Sequence, residues 1–252
     1  MNLQGTTALV TGAASGLGAA TATLLAERGA TVIGIDLAAA IERAGEQADG
    51  IGLIAADVTD EAAIRTALGR VDGARPLRLA VNCAGIGPAE RILSSKGTHD
   101  LELFRRTLDV NLVGTFNVLR LAAETMAGQA PDACGDRGVI VNTASIAAFE
   151  GQVGQVAYSA SKAGVVGMTI TAARDLARNR IRVCTIAPGI VDTPMLAALG
   201  DEVREALEAS IPHPQRLAEP AEYAKLVAMI AEHDYLNGET IRMDGALRMP
   251  PQ

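Results

Sequence analysis

Tryptophan is missing from this sequence, and three tyrosines and three phenylalanines are its only aromatics. A core must therefore be built from Ala, Val, Ile and Leu, a mixture that suits helices packed closely on a sheet. Cysteine is also scarce. Cys83, Cys134 and Cys184 are odd in number, widely spaced and contain no CxxC pair, which argues against a disulfide framework and structural zinc and for thiols in a reducing compartment. His99, His213 and His233 show no metal-ligand spacing, so no metal is expected. No block of Lys and Arg occurs, and 22 basic against 29 acidic residues give a net charge of −7. That balance disfavours nucleic acid and anionic membrane as partners. No apolar run is long enough to span a bilayer. The opening MNLQGTT has neither a basic nor an apolar leader region, so a cytoplasmic protein is expected.

What the sequence does contain is alternation. Strand-like runs fall at 6–11, 31–35, 51–55, 77–82, 138–143, 181–187 and 239–243. Amphipathic, Ala-rich stretches lie between them at 16–28, 38–48, 61–70, 100–127, 156–178 and 220–232. Such alternation predicts an α/β fold: a Rossmann-type, doubly wound, seven-stranded parallel sheet with helices on both faces. No linker or composition shift divides the chain, so one domain is expected. Its cofactor half would cover about 1–150, and its catalytic half and substrate loop about 151–252. Two interruptions stand out. Residues 131–137 (PDACGDR) read as an exposed loop. Residues 193–219 form an insert at the carboxyl edge of the sheet, where ligands bind in open α/β folds, with an amphipathic piece at 199–210.

The first strand runs into TGAASGLG, with Gly12, Ser15, Gly16, Leu17 and Gly18 opening a helix. Glycines there allow a tight turn and close approach of backbone to a pyrophosphate, and the helix N-terminus offers unpaired N–H groups. Asp36 ends the second strand 18 residues beyond Gly18, placed to accept both adenosine ribose hydroxyls and to repel a 2′-phosphate. Asp57-Val58 closes the third strand, where a carboxylate can meet the adenine edge, and Asn82-Cys83-Ala84-Gly85 closes the fourth with small residues. Tyr158 and Lys162 stand four apart, on one face of a helix. A phenol needs a nearby ammonium to carry protons near neutral pH. Ser145, thirteen residues before Tyr158, can hold a substrate oxygen beside the phenol. Asn111 interrupts an apolar helical stretch.

Taken together, TGAASGLG, Asp36, Asp57-Val58, NCAG, Asn111, Ser145, YSASK, Pro188-Gly189 and Thr193 resemble the short-chain dehydrogenase/reductase family, and the likeness runs from Gly5 to Arg248. The resemblance implies a catalytic tetrad of Asn111, Ser145, Tyr158 and Lys162. In it Tyr158 is the acid/base, Ser145 orients the substrate oxygen, Lys162 binds the nicotinamide ribose and lowers the phenol pKa, and Asn111 holds a water of the proton relay. It further implies that Pro188, Gly189, Val191 and Thr193 cover the nicotinamide, and that Cys83, Ala84 and Gly85 lie against the cofactor. Substrate would meet Ser145, Gln155 and Tyr158. Cys83 departs from the family's commoner Asn, with little effect expected because the role there is mostly backbone.

VNCAGIG, LDVNLVGTFNVLRL, AAFEGQVGQ and NGETIRMDGALRMPP are more particular. They resemble the branch of the family that converts (3S)-hydroxyacyl-CoA to 3-oxoacyl-CoA with NAD. A 3-oxoacyl-carrier-protein reductase or another secondary-alcohol or hydroxysteroid dehydrogenase is the alternative, although Asp36 disfavours enzymes that use NADPH. A third reading is a cofactor-binding module without turnover, against which the complete Asn/Ser/Tyr/Lys set speaks. The family also implies a homotetramer. Leu112, Phe116, Leu119 and Ala123, and Val165, Met168, Ala172 and Leu176, fall at helical spacing and would pair across a two-fold axis, unless both stripes pack on the sheet. The tail from Arg248 to Gln252 would then lie near a neighbouring subunit.

Overall fold

A computed structural model describes residues 1–197 and 200–251. Seven parallel strands form one sheet: β1 (Thr7–Thr11), β2 (Thr31–Asp36), β3 (Ile51–Ala55), β4 (Leu77–Asn82), β7 (Gly138–Thr143), β8 (Ile181–Pro188) and β9 (Thr240–Met243). Their order is β3-β2-β1-β4-β7-β8-β9, so the winding direction reverses between β1 and β4. A crevice opens at such a point beyond the carboxyl ends of the strands. Strands β1, β4, β7 and β8 are buried along their whole length, as mainly apolar strands of a sheet covered on both faces should be. A two-residue hairpin, β5 (Leu93–Ser94) with β6 (Gly97–Thr98), lies outside the sheet and is too short to show a strand period.

Helix α1 (Gly16–Glu27) and α9 (Pro220–Glu232) cover one face, where Leu25, Val227 and Ile230 pack on Val10, Val81 and Val141. Helices α3 (Glu61–Leu68), α5 (Thr115–Ala127) and α6 (Val156–Leu176) cover the other through Ile64, Leu121 and Ala173, against Leu9, Ile35 and Ile140. Helix α2 (Ala38–Ala44) is shorter than the expected 38–48 because Gly45 turns the chain out at φ 69°.

The stretch 100–127 is not one regular helix. Helix α4 (Leu101–Leu108) passes through a π-helical segment, Asp109–Gly114, before α5 begins. π-Turns of this kind recur at functional sites, and this one carries Asn111. In the insert, α7 (Pro194–Ala197) and α8 (Asp201–Ala209) are helical, which accounts for the amphipathic pattern of 199–210, although Leu199 lies outside the described residues. A bridge between Val191 and Ala218 closes the excursion at its base.

The loop 131–137 lies at the opposite edge of the sheet. Arg78, near the start of β4, donates to the carbonyls of Ala130 and Arg137 at 2.7 and 2.8 Å, and Arg182, near the start of β8, pairs with Asp136 at 3.2 Å. Among the described residues no helix is long and apolar enough to cross a membrane.

Candidate active site

The crevice at the switch point is built by backbone. Thr11 Oγ1, at the tip of β1, accepts from the N–H groups of Cys83 and Ala84, both at 3.1 Å, just past the tip of β4. This draws the two strand ends together so closely that a Cβ on Gly12 would meet Ala84 N at 2.9 Å. A Cβ on Gly18 would meet Gly12 O at 2.1 Å. The helical ladder of α1 opens with Ala19 N–H on the Ser15 carbonyl, and the Ser15 side chain makes no cap, so the first-turn amides stay free to meet phosphate oxygens.

At the end of β2 the two oxygens of Asp36 accept from Ala14 N at 3.0 Å and Leu37 N at 2.8 Å. Each keeps a lone pair for a ligand hydroxyl, and Leu37 and Ala38 bring no positive charge. Asp57 uses Oδ1 to accept from the Thr59 amide and hydroxyl, and the Val58 carbonyl accepts from Asn117 Nδ2 at 2.8 Å.

Beyond β7, Ser145 caps a short 3₁₀ turn, Ile146–Ala148, by accepting from Ala147 N at 3.1 Å. Its O–H remains available to donate. Tyr158 and Lys162 lie on the inner side of α6, with Lys162 Nζ 5.7 Å from the phenol ring centre. Nζ donates to the carbonyl of Thr143 at 2.8 Å. Burial pushes the Tyr158 phenol above its ordinary range, opposed by a hydrogen bond with Ser145. Burial likewise pulls Lys162 down to about 8, with the Cys83 thiol opposing. Both shifts share a cause: a desolvated site penalises whichever form is charged.

Asn111 is fully buried. Its Oδ1 accepts from Ile86 N at 2.8 Å, and its Nδ2 donates to Ile86 O at 2.8 Å and to Ser161 Oγ at 3.0 Å. The amide thus pins the segment that leaves β4, and its main-chain carbonyl accepts from Thr115 Oγ1 at 2.7 Å. Gly85 lies between the two polar groups: a Cβ there would sit 3.1 Å from Asn111 Oδ1 and 3.6 Å from Lys162 Nζ.

On the far wall, Gly189 packs so near Asp244 that a Cβ would meet its Cα at 2.9 Å. The Thr193 methyl faces Gly16 across the crevice, 3.4 Å from where a Cβ would stand. Gln155 accepts from Gln152 N at 3.1 Å through its side-chain oxygen.

One cavity of about 810 Å³ collects these residues. It is lined by Gly12, Ser15, Gly16, Leu17 and Gly18, by Asp36, Asp57 and Val58, and by Cys83, Ala84 and Gly85. Ser145, Gln155, Tyr158, Lys162, Pro188, Gly189, Val191 and Thr193 complete it. Asn111 alone among the expected site residues stands behind the wall. His213 is exposed and does not line the cavity.

Three kinds of contributor escaped sequence reasoning. Thr143 acts through a carbonyl, which no residue type encodes. Val203 and Leu207 also line the cavity, and the amphipathic pattern of α8 was their only signal. Met249 also lines the cavity. Within the chain the tail is tied down by Pro251 O, which accepts from Val153 N at 3.0 Å. Gln252 lies outside the described residues.

The chain belongs to the short chain dehydrogenase family, whose sequence profile matches residues 6–204, and it is an oxidoreductase enzyme. Its similarity to particular members extends end to end. It is 54% identical to the 3-hydroxyacyl-CoA dehydrogenase type-2 of Drosophila melanogaster over 260 residues, covering 99% of this chain and 100% of that protein. It is 52% identical to the Homo sapiens protein of the same name, with 99% and 98% covered. The crystal structure of 3-hydroxyacyl-CoA dehydrogenase type-2 from Mycobacterium avium superposes with a TM-score of 0.91 at 42% identity, covering 98% of each chain.

Proposed function

We propose that this protein interconverts a (3S)-3-hydroxyacyl-CoA and the 3-oxoacyl-CoA, using NAD as the hydride partner. The carrying observation is that the glycine cradle, Asp36, Ser145, Tyr158 and Lys162 line one cavity in a chain similar along its whole length to dehydrogenases named for that substrate. The cradle fits a dinucleotide: Gly12 and Gly18 let the turn close on backbone where a Cβ would clash, Gly16 faces Thr193 across the crevice, and the first-turn amides of α1 carry no side-chain cap. When bound, the nicotinamide supplies the hydride acceptor or donor.

The remaining work falls to the chain. Ser145, whose lone pair is committed to Ala147 N, donates its proton to the substrate oxygen and holds it beside the phenol. Tyr158 takes the hydroxyl proton in oxidation and returns it in reduction. Lys162, fixed on the Thr143 carbonyl, offers its other N–H bonds to the nicotinamide ribose and its charge to the phenolate. Asn111 holds the floor through Ile86, and its main-chain carbonyl, which already accepts from Thr115 Oγ1, has a second lone pair for a relay water. Pro188, Gly189, Val191 and Thr193 close over the nicotinamide, and Gln155 faces substrate. On this reading residues 1–150 hold most of the cofactor, 151–252 most of the substrate, and the setting is cytoplasmic.

Asp36 sets the cofactor preference. Two negative groups in contact cost on the order of several kcal/mol, so NAD should exceed NADP by about a hundredfold or more in kcat/KM. Asp36→Ala should shrink that ratio to about tenfold or less while turnover with NAD persists. Equal efficiency of the unmodified enzyme with both cofactors would refute the assignment.

We further propose a homotetramer. Most of the two apolar stripes pack inside the subunit: Leu119, Ala123 and Val165 are buried, and Leu112 and Met168 pack on Val165. Phe116 is 51% exposed, however, and Val113 and Ile170 join it at 51% and 42%. Exposed apolar side chains of this size favour a self-complementary two-fold contact. Light scattering should give the mass of four chains, and a monomer mass at micromolar concentration would exclude the interface.

A further inference from the structure

Three polar groups beside the reaction centre close on one another. Tyr223, on α9, is fully buried, and its hydroxyl lies 2.6 Å from Thr143 Oγ1. Thr143 Oγ1 donates to Cys83 Sγ at 3.7 Å, and Cys83 Sγ donates to the Tyr223 hydroxyl at 3.7 Å. With the phenol donating to Thr143, each member of this ring donates once and accepts once. Burial pushes the Cys83 thiol up and the Tyr223 phenol well up, so the ring is neutral.

The ring joins the tips of β4 and β7 to α9, on the face of the sheet opposite α6. Tyr223 does not line the cavity. Thr143 nevertheless connects it to the chemistry, because the Thr143 carbonyl receives Lys162 Nζ at 2.8 Å, and Ser145 stands two residues on. Packing alone does not call for this hydroxyl. A phenylalanine would fill the same space, while a buried hydroxyl costs free energy unless it is bonded.

We infer that Tyr223 is a positioning residue: through Thr143 its hydroxyl fixes the tip of β7 and so aims the carbonyl that holds Lys162. The inference rests on the roles of Tyr158 and Lys162 given above. It also revises the expectation for Cys83, whose side chain, and not its backbone alone, belongs to the support. The titratable groups facing Lys162 are Cys83 from β4 and Tyr158 from its own helix.

The test compares Tyr223→Phe, Thr143→Val, Tyr158→Phe and Ile230→Val with the unmodified enzyme in NAD-dependent oxidation of a 3-hydroxyacyl-CoA across pH. Ile230, fully buried on α9, controls for core loss on the same helix. Tyr223→Phe should lower kcat about five- to fiftyfold, the size of effect expected from a small misplacement of a catalytic group, with little change in substrate KM. The high-pH limb of kcat should move to lower pH, because a poorer bond from carbonyl to ammonium favours the neutral amine. Thr143→Val should do the same, and it carries the test if Tyr223→Phe does not fold. Ile230→Val should lower Tm and leave the pH profile in place. If Tyr223→Phe and Thr143→Val lose only Tm, the inference is overturned while the site reading stands. If Tyr158→Phe retains full turnover, the site reading falls, and this inference with it.

Discussion

Replacing Tyr158 with Phe should reduce turnover by about a hundred- to ten-thousandfold, the usual contribution of a positioned acid/base. That corresponds to about 3–5 kcal/mol in the barrier. The ring would pack as before, and the cofactor should still bind, because the cradle, Asp36 and Lys162 are untouched. Ser145 cannot take over the proton: its oxygen already accepts from Ala147 N, and an aliphatic hydroxyl is a far weaker acid than a phenol. Fluorescence titration with NADH should therefore give a Kd within about threefold of the unmodified enzyme while single-turnover rates collapse. Retention of more than about a tenth of the activity, a loss under ~1.4 kcal/mol, would show that Tyr158 is not the acid/base.

Lys162→Ala should damage both steps. On the proposed reading the ammonium is both a ribose ligand and a positive charge beside the phenol, 5.7 Å from its ring centre, so cofactor Kd should rise and kcat should fall. Losses of about a hundredfold or more in kcat/KM are expected. Its titration adds a signature. Burial lowers Lys162 to about 8, so in the cofactor-free site the group is cationic below that pH and neutral above it. Affinity for the cofactor should consequently weaken as pH rises through about 8, and Lys162→Ala should abolish that limb. Binding titrations across pH check this. A limb unchanged in Lys162→Ala would assign it to another group.

Much of this architecture was legible because the chemistry sits at strand ends. A parallel strand announces itself as a short apolar run, and the residues that close it fall where the run stops: Thr11, Asp36, Asn82 and Pro188 end their strands, and Ser145 stands two residues past β7. Tyr158 and Lys162 share one face of α6 as their spacing implies, but it was their company with the other motifs that singled them out. What stayed hidden depends on distance in the chain. The π-turn at Asn111 has no residue signature, and the bonds Asn111 makes there reach Ile86, 25 residues away. Thr143 contributes a carbonyl, and Tyr223 reaches it across 80 residues. The helical stripes misled for a related reason. Period locates an apolar face but not what covers it, so Leu119 and Val165 turned inward while Phe116 remained outside.

The proposed chemistry is transfer of the 3-hydroxyl proton of an acyl thioester to Tyr158 as NAD accepts the hydride, and its most direct measurement is NADH formation with a panel of substrates. Purified enzyme and Tyr158→Phe would be given (3S)- and (3R)-3-hydroxyacyl-CoA thioesters of several chain lengths, the free hydroxy acids and hydroxysteroids. The prediction is that (3S)-hydroxyacyl-CoA gives the highest kcat/KM with NAD, that the (3R) epimer is poor, and that Tyr158→Phe is inactive with all of them. A free secondary alcohol or a hydroxysteroid turned over more efficiently than every thioester, or equal rates from Tyr158→Phe, would contradict it.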